Sequence, residues 1–300
     1  MERMISSDQI TRDYLDRWLF EVRHVDSVAS NPSVTLFGKR FAGPVTTAAL
    51  SHLSKFCALQ ERTDGMVLMA QGAKMANVLC FTGMGSEEEL TRMTDTGASV
   101  VKIIKTYRDR EKIYRRIRHA EACGALAVGI DIDHAFNRER GYDLVDGEEM
   151  APITADEIRQ LAASTTLPFV IKGVLSVQDA EKSVQAGAKA LVVSHHNGRL
   201  NCSVPPLMML PEIRKAVGKE TTLFADCSLQ NGQDVYRCLA FGADACCIGR
   251  PIMEPLKEKG AEGVRDTLLG VLHDFCYTMS MTGAEDVSHI DAGVLHFKNW

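Results

Sequence analysis

Residues Thr166–Arg199 read TLPFVIKGVLSVQDAEKSVQAGAKALVVSHHNGR, one strand–helix–strand unit with both of its ends exposed to view. The apolar run Phe169–Ile171 stops at Lys172-Gly173. A helical period follows, with apolar residues at Val177, Ala180, Val184 and Ala188. A second apolar run, Ala190–Val193, stops at Ser194-His195-His196-Asn197-Gly198-Arg199. In a parallel β/α unit, side chains just past the carboxyl ends of strands face the ligand crevice. Lys172, His196 and Arg199 are therefore expected at one mouth: a cation for an anion, a proton acceptor and a carboxylate fork.

The same alternation extends in both directions. Apolar, β-branched runs recur at Val45–Ala49, Val78–Phe81, Val100–Ile104, Leu126–Asp131, Phe169–Lys172, Ala190–Ser194, Thr222–Ala225 and Ala245–Ile248. Continuous rather than alternating apolar runs suit parallel strands buried on both faces. Amphipathic segments lie between them, at 86–96, 109–123, 154–163, 176–187 and 231–241. Gly97, Gly124, Gly187 and Gly242 stand where a left-handed helix cap is wanted. The pattern predicts a single (β/α)8 barrel over residues 1–300, with the barrel proper at about 40–285. Residues 1–30 read as a short helical lead-in and 261–281 as the closing helix. An open doubly wound sheet competes, but no G-x-G-x-x-G follows its first strand.

Composition narrows the class. A chain of 300 residues with 45% hydrophobic content can bury one large core. A net charge of −5 and a pI near 6.0 argue against nucleic acid or an anionic membrane as partner. The basic run YRDREKIYRRIRH (107–119) has the spacing of a solvated helix face. Nine cysteines without a C-x-x-C fit reduced thiols better than disulfides or zinc. No apolar stretch reaches membrane length and MERMISSDQI lacks a signal-peptide core, so a cytoplasmic location is expected.

Phosphate commonly sits at the loops after strands 7 and 8 of such barrels. Here these are FADCSLQNGQD (224–234) and CIGRP (247–251). Gly249 permits close backbone approach to a phosphate oxygen, Arg250 adds a planar double donor, and Asp226 is placed to accept from hydroxyls. A plain tight turn at Gly249-Arg250-Pro251 is the competing reading. The His195-His196 doublet suggests a metal, but neighbours on a strand point to opposite faces, so one ion is not expected to take both.

The pieces LPFVIKGV, DAEKSVQAGAKALVVSHHNGR, NGQDVYRCLAFGADACCIGRP and TMSMTGAEDVSHI together resemble the FMN-dependent α-hydroxy-acid dehydrogenase/oxidase family. Weaker similarity runs through IDIDHAFNRERGYD, GSEEELTR and FGKRFAGPVTTAAL, so the resemblance covers roughly residues 35–290. It implies an FMN-dependent oxidoreductase that converts a small 2-hydroxy acid to the 2-keto acid. His196 falls on the family's base and Asp131 on the aspartate that orients it. Arg199 and Arg138 match the carboxylate clamp. Lys172 matches the lysine beside the flavin, and Ser194 a ring contact. The resemblance assigns Asp226, Ser228, Gln230, Gly249, Arg250, Ala49 and Cys80 to the cofactor as well. It also implies a homo-oligomer, a tetramer by family habit.

Several positions depart from the family. The two glycines and the arginine of the strand-7 loop are replaced by Cys227, Ser228 and Gln230, which removes one positive charge from the phosphate side. The strand-3 tyrosine becomes Lys105, assigned to substrate binding, with Tyr107 two residues on. The flavin-contacting threonine becomes Gly129, and the glutamine Ile103, next to Lys102. The loop after strand 4 shrinks to about a dozen residues around LVDGEEMAP, which implies a reduced lid. These departures keep two alternatives open: another reaction on the same flavin barrel, such as isomerisation, or a silent FMN- or phosphate-binding homologue.

Overall fold

The computed structural model describes residues 6–57, 64–139 and 141–299. Its centre is an eight-stranded sheet: β1 (Val45–Thr47), β2 (Cys80–Thr82), β3 (Val100–Lys105), β4 (Ala127–Asp131), β5 (Phe169–Val174), β6 (Ala190–Val193), β7 (Thr222–Ala225) and β8 (Ala245–Ile248). Neighbours from β2 round to β8 and on to β1 pair in parallel. Parallel bridges Thr46↔Leu79 and Leu50↔Thr82 bring β1 back to β2. The sheet thus curls into a nearly closed (β/α)8 barrel, and the open doubly wound alternative is excluded.

Helices separate the strands: α2 (Gly65–Met75), α3 (Glu87–Asp95), α4 (Arg110–Ala122), α5 (Ala155–Ala163), α6 (Val177–Gln185), α7 (Pro206–Val217), α8 (Gly232–Ala240) and α9 (Met253–Met281), preceded by α1 (Ser7–Asp16). Their starts follow side-chain chemistry. Ser86, Asp109, Ser176 and Asn231 each accept from a first-turn backbone N–H, and Thr154 with Glu157 forms a capping box. Their ends use the expected glycines: Gly97, Gly124, Gly187 and Gly242 all have positive φ, between 78° and 108°.

Strand alternation divides the core in two. Val101, Ile103, Val170, Val192, Phe224 and Cys247 fill the barrel interior, whereas Val100, Ile104, Ile171 and Val193 pack outward on the helices. A hairpin, Val34–Leu36 with Lys39–Phe41, closes the amino-terminal end of the barrel. It inserts Leu36 and Phe41 into the interior cluster and stacks Phe37 near Phe224 at 6.0 Å.

One of the two expectations about the ends needs correction. The lead-in is helical only over α1; Trp18–Phe20 then forms a strand antiparallel to Leu295–Phe297. Trp18 packs on Phe241 and Phe297, so aromatic burial, not helical periodicity, decides that stretch. The closing helix at 261–281 is present as expected; a shorter helix from Met253 leads into it across a break at Gly260, whose φ of 57° only glycine adopts readily. Among the described residues no helix is long and apolar enough to cross a membrane.

Candidate active site

The carboxyl ends of β3 to β6 converge on one buried carboxylate. Asp131, the last residue of β4, lies beside Lys105 on one side and Lys172 on the other because the three share register across the sheet. Its Oδ2 accepts from Lys105 Nζ at 2.7 Å, and Lys172 Nζ is 3.7 Å from Oδ1. All three side chains are at most 8% exposed. Burial opposes the charge on Asp131, but Lys172 and Lys105 outweigh it and hold the carboxyl well below its usual range. Lys172 is raised despite complete burial, by Asp131, Asp133 and Asp226. Lys105 is lowered, because desolvation exceeds what Asp131 returns.

His196 follows β6 in a left-handed backbone conformation, φ 48°, with Asn197 at 54°. Ser194 sustains that turn: its Oγ accepts from the His196 N–H at 3.1 Å and donates to Asp226 Oδ2 at 2.9 Å. Strain of this kind persists only where neighbours determine it. The imidazole Nδ1 lies 2.8 Å from Asp133 Oδ1, 3.1 Å from Lys172 Nζ and 3.3 Å from Asp131 Oδ2. Burial and Lys172 push its pKa down, yet Asp131 and Asp133 prevail and leave it raised. His195 turns the other way, bonding Thr11 Oγ1 of α1 at 2.8 Å, so the doublet is split, by the turn after β6 rather than by strand alternation.

Two cavities meet at His196 and Asn197, which line both. The larger, about 1330 Å³, holds Arg138, Arg199, Asp133 and Asp143 against Ile132, Phe136 and Ile153. Arg199 Nη2 bonds Asp143 Oδ2 at 2.6 Å and the Phe136 carbonyl at 2.7 Å. Arg138 bonds the Gly198 carbonyl at 3.2 Å, with the Arg199 carbonyl and Asn201 Oδ1 slightly further. The segment after β4 folds into a small hairpin, Leu144–Val145 with Glu148–Glu149, and Phe136 stacks on Tyr142 beside it.

The smaller cavity, about 740 Å³, is bordered by Ala48, Ala49, Leu50, Lys172, Asp226, Ser228, Gln230, Gly249 and Arg250. A Cβ on Gly249 would stand 3.2 Å from that of Ala48, so glycine keeps this wall open. Cys80 does not line the cavity. Strand alternation turns it outward, where its thiol meets Thr47 Oγ1 in the helix-facing core. Lys102 is likewise outside: its ammonium donates to the Gly83 carbonyl, and burial lowers its pKa to about 8.

Sequence reasoning missed Asp133, His134, Asp143 and Asp8. His134 Nδ1 bonds Asp143 Oδ2 at 2.9 Å, and its Nε2 lies 3.3 Å from His196 Nε2. Burial, then Lys105 and His196, push His134 down to about 3, so it is neutral near pH 7. Asp8 of α1 bonds Arg250 at 3.1 Å and Ser228 at 3.2 Å. The doublet Asp133-His134 directly after strand 4 was a readable signal; Asp8, more than two hundred residues from its partners, gave none.

Asp131, Asp133, His134 and His196 bring one ligand atom each within 4.8 Å of one another, a spacing compatible with a metal ion. Two ammonium groups already stand against the shared carboxylate, however, and a third cation there would meet strong repulsion. The cluster is an acid–base arrangement, balanced by its own lysines.

An acid–base cluster and two arginines over a cavity at the mouth of a (β/α)8 barrel define a class of barrel enzyme acting on small anions. The chain matches the FMN-dependent dehydrogenase family over residues 6–153 and 143–297, and it belongs to that family. It is an FMN-dependent oxidoreductase. It is 29% identical to 4-hydroxymandelate oxidase of Amycolatopsis orientalis over 291 residues, covering 85% of this chain and 79% of that protein. It is 25% identical to 2-hydroxyacid oxidase 1 of Homo sapiens over 316 residues, covering 92% and 84%. A crystal structure of mandelate oxidase with benzoyl-formic acid superposes with a TM-score of 0.84 at 28% identity, over 97% of this chain and 90% of that one.

The residues present fit FMN. The 740 Å³ cavity has an apolar wall at Ala48–Leu50, a buried ammonium at Lys172, a carboxylate at Asp226, and donors at Ser228, Gln230 and Arg250. The fit is closest at the Lys172 end. At the opposite end Asp8 already partly neutralises Arg250.

Proposed function

We propose that this protein oxidises a small 2-hydroxy acid to the 2-keto acid, with His196 as base. One observation carries the reading: His196 turns Nδ1 to Asp131 and Asp133 while its ring lines the cavity that holds Arg138 and Arg199. Asp133 and Asp131 take the Nδ1–H, which fixes the tautomer and leaves Nε2 to accept a proton. Once His196 is protonated, the same two carboxylates stabilise the imidazolium. Arg199 and Arg138 bind and orient the substrate carboxylate. Lys105 lines neither cavity, against the expectation that it binds substrate; its buried ammonium holds Asp131 in place. When bound, FMN supplies the two-electron acceptor; Lys172, Asp226, Ser228, Gln230, Gly249, Arg250 and Ala49 hold it in this reading, while Ser194, which lines neither cavity, positions Asp226 and His196.

The pH dependence follows from the raised pKa of His196. The base form is the deprotonated one, so kcat/KM rises with pH and levels above a midpoint higher than about 6.5, the ordinary histidine value. A midpoint at or below that value, measured with a hydroxy acid across pH 5–9, contradicts the assignment. The names of the relatives support the substrate class, since both act on hydroxy acids by title. The reading also takes the chain as one barrel domain, cytoplasmic and homo-oligomeric, a tetramer by family resemblance. Sedimentation of the FMN-loaded protein as a monomer removes that last expectation.

A further inference from the structure

We propose that Asp143 is an internal carboxylate that keeps the substrate's place on Arg199, and that an incoming carboxylate displaces it and thereby frees His134 from His196. This rests on the reading of His196 as base and adds a substrate-dependent step in front of it. Four side chains stand in series in the larger cavity. Arg199 Nη2 and His134 Nδ1 both donate to the same oxygen, Asp143 Oδ2, at 2.6 and 2.9 Å. Through that bond the His134 tautomer is set: the proton is on Nδ1 and the Nε2 lone pair is free. That lone pair accepts from His196 Nε2–H, 3.3 Å away, when His196 is protonated, with the two rings edge to face and 4.4 Å between centroids. The nitrogen that must receive the substrate proton is therefore covered by a second imidazole.

The two arginines are not equivalent. Among the described residues Arg138 bonds only neutral oxygens, those of Gly198, Arg199 and Asn201, so its charge is open to an anion. Arg199 is matched to a carboxylate already. A substrate carboxylate drawn in by Arg138 is an acceptor of the same kind as Asp143 and competes with its Oδ2 for Arg199 Nη2. Arg199 keeps its orientation during the exchange because the Phe136 carbonyl holds Nη2 at 2.7 Å. Asp143 in turn keeps one partner, the Leu144 N–H on Oδ1 at 3.1 Å. Loss of the shared oxygen removes what fixes His134, and His196 Nε2 becomes accessible.

The test is calorimetric titration of the FMN-loaded protein with oxalate, a carboxylate that needs no turnover. Asp143→Asn binds oxalate about tenfold more tightly than the native protein, the effect of removing one charge-assisted competitor. Unchanged or weaker binding overturns the proposal, because it makes Asp143 a fixed support for Arg199. Should the variant not fold, native protein decides alone: saturating oxalate shifts the ring-nitrogen resonances of His134, and a bound state that leaves them unmoved overturns it. If no hydroxy acid reduces the flavin, the oxidase reading fails while both oxalate results still stand or fall separately.

Discussion

The two ends of the barrel mouth handle charge in opposite ways. Where β3 to β6 end, Asp131, Lys105 and Lys172 are nearly inaccessible and every charge faces an opposite one within 4 Å. Where β7 and β8 end, the Arg250 side chain is 55% exposed and its partner Asp8 comes from the distant helix α1. A buried charge that loses its partner is costly, so the first group is locked as a set. Solvent screens the second group, and its members can be exchanged one at a time. Three of the departures from the family, Gln230, Ser228 and Cys227, stand at the second group's open end, whereas Lys105 stands inside the buried set. Cys227 and Ser228, standing where the family has two glycines, themselves have positive φ, 77° and 58°.

The sharpest way to break the contrast is to unpair the buried set. Asp131→Asn leaves Lys105 and Lys172 without their shared carboxylate and costs about 3–5 kcal/mol of folding stability in urea titration. A loss under about 1 kcal/mol would mean that the cluster is not locked. Next comes pH. His134 titrates at about 3 when folded against about 6.5 unfolded, so between those values the unfolded chain binds more protons. Stability contributed by neutral His134 is therefore present above pH 6.5 and lost as pH falls toward 3. His134→Gln flattens that part of the stability–pH curve; superimposable curves refute the assignment.

At the open end the effects are smaller. Gln230→Arg restores a cation and tightens FMN by about 1 kcal/mol, roughly fivefold, in a fluorescence titration, with riboflavin binding unchanged. Asp8→Asn frees Arg250 and gives a lesser gain, about twofold, again specific to the phosphate. Equal gains for riboflavin would show that neither position lies near the phosphate.

Much of this arrangement is legible in the chain, for reasons that differ by element. The run Ala190–Val193 ending in Ser194-His195-His196 announces both a buried strand and its reactive end, because a parallel strand places chemistry at one terminus. Lys105, Asp131 and Lys172 are readable separately at strand ends, and the register that joins them follows from the barrel. Cys80 was misplaced for a related reason: it lies on the outward parity of β2, where Phe81 faces in. The stretch Trp18–Phe20 is decided by its partner strand Leu295–Phe297, at the other end of the chain, and carries no local signature. Asp8 and Asp143 are invisible in the same sense, since the arginines they meet are brought to them only by folding.

The central claim is that His196 is the group that takes the substrate proton, and anaerobic stopped-flow tests it most directly. FMN-loaded native protein mixed with a panel of 2-hydroxy acids loses its flavin absorbance, and His196→Asn, still carrying FMN, does so at least a hundredfold more slowly, in line with the roughly 10²–10⁴-fold contribution of a general base. Equal rates of bleaching in the two proteins would contradict the account.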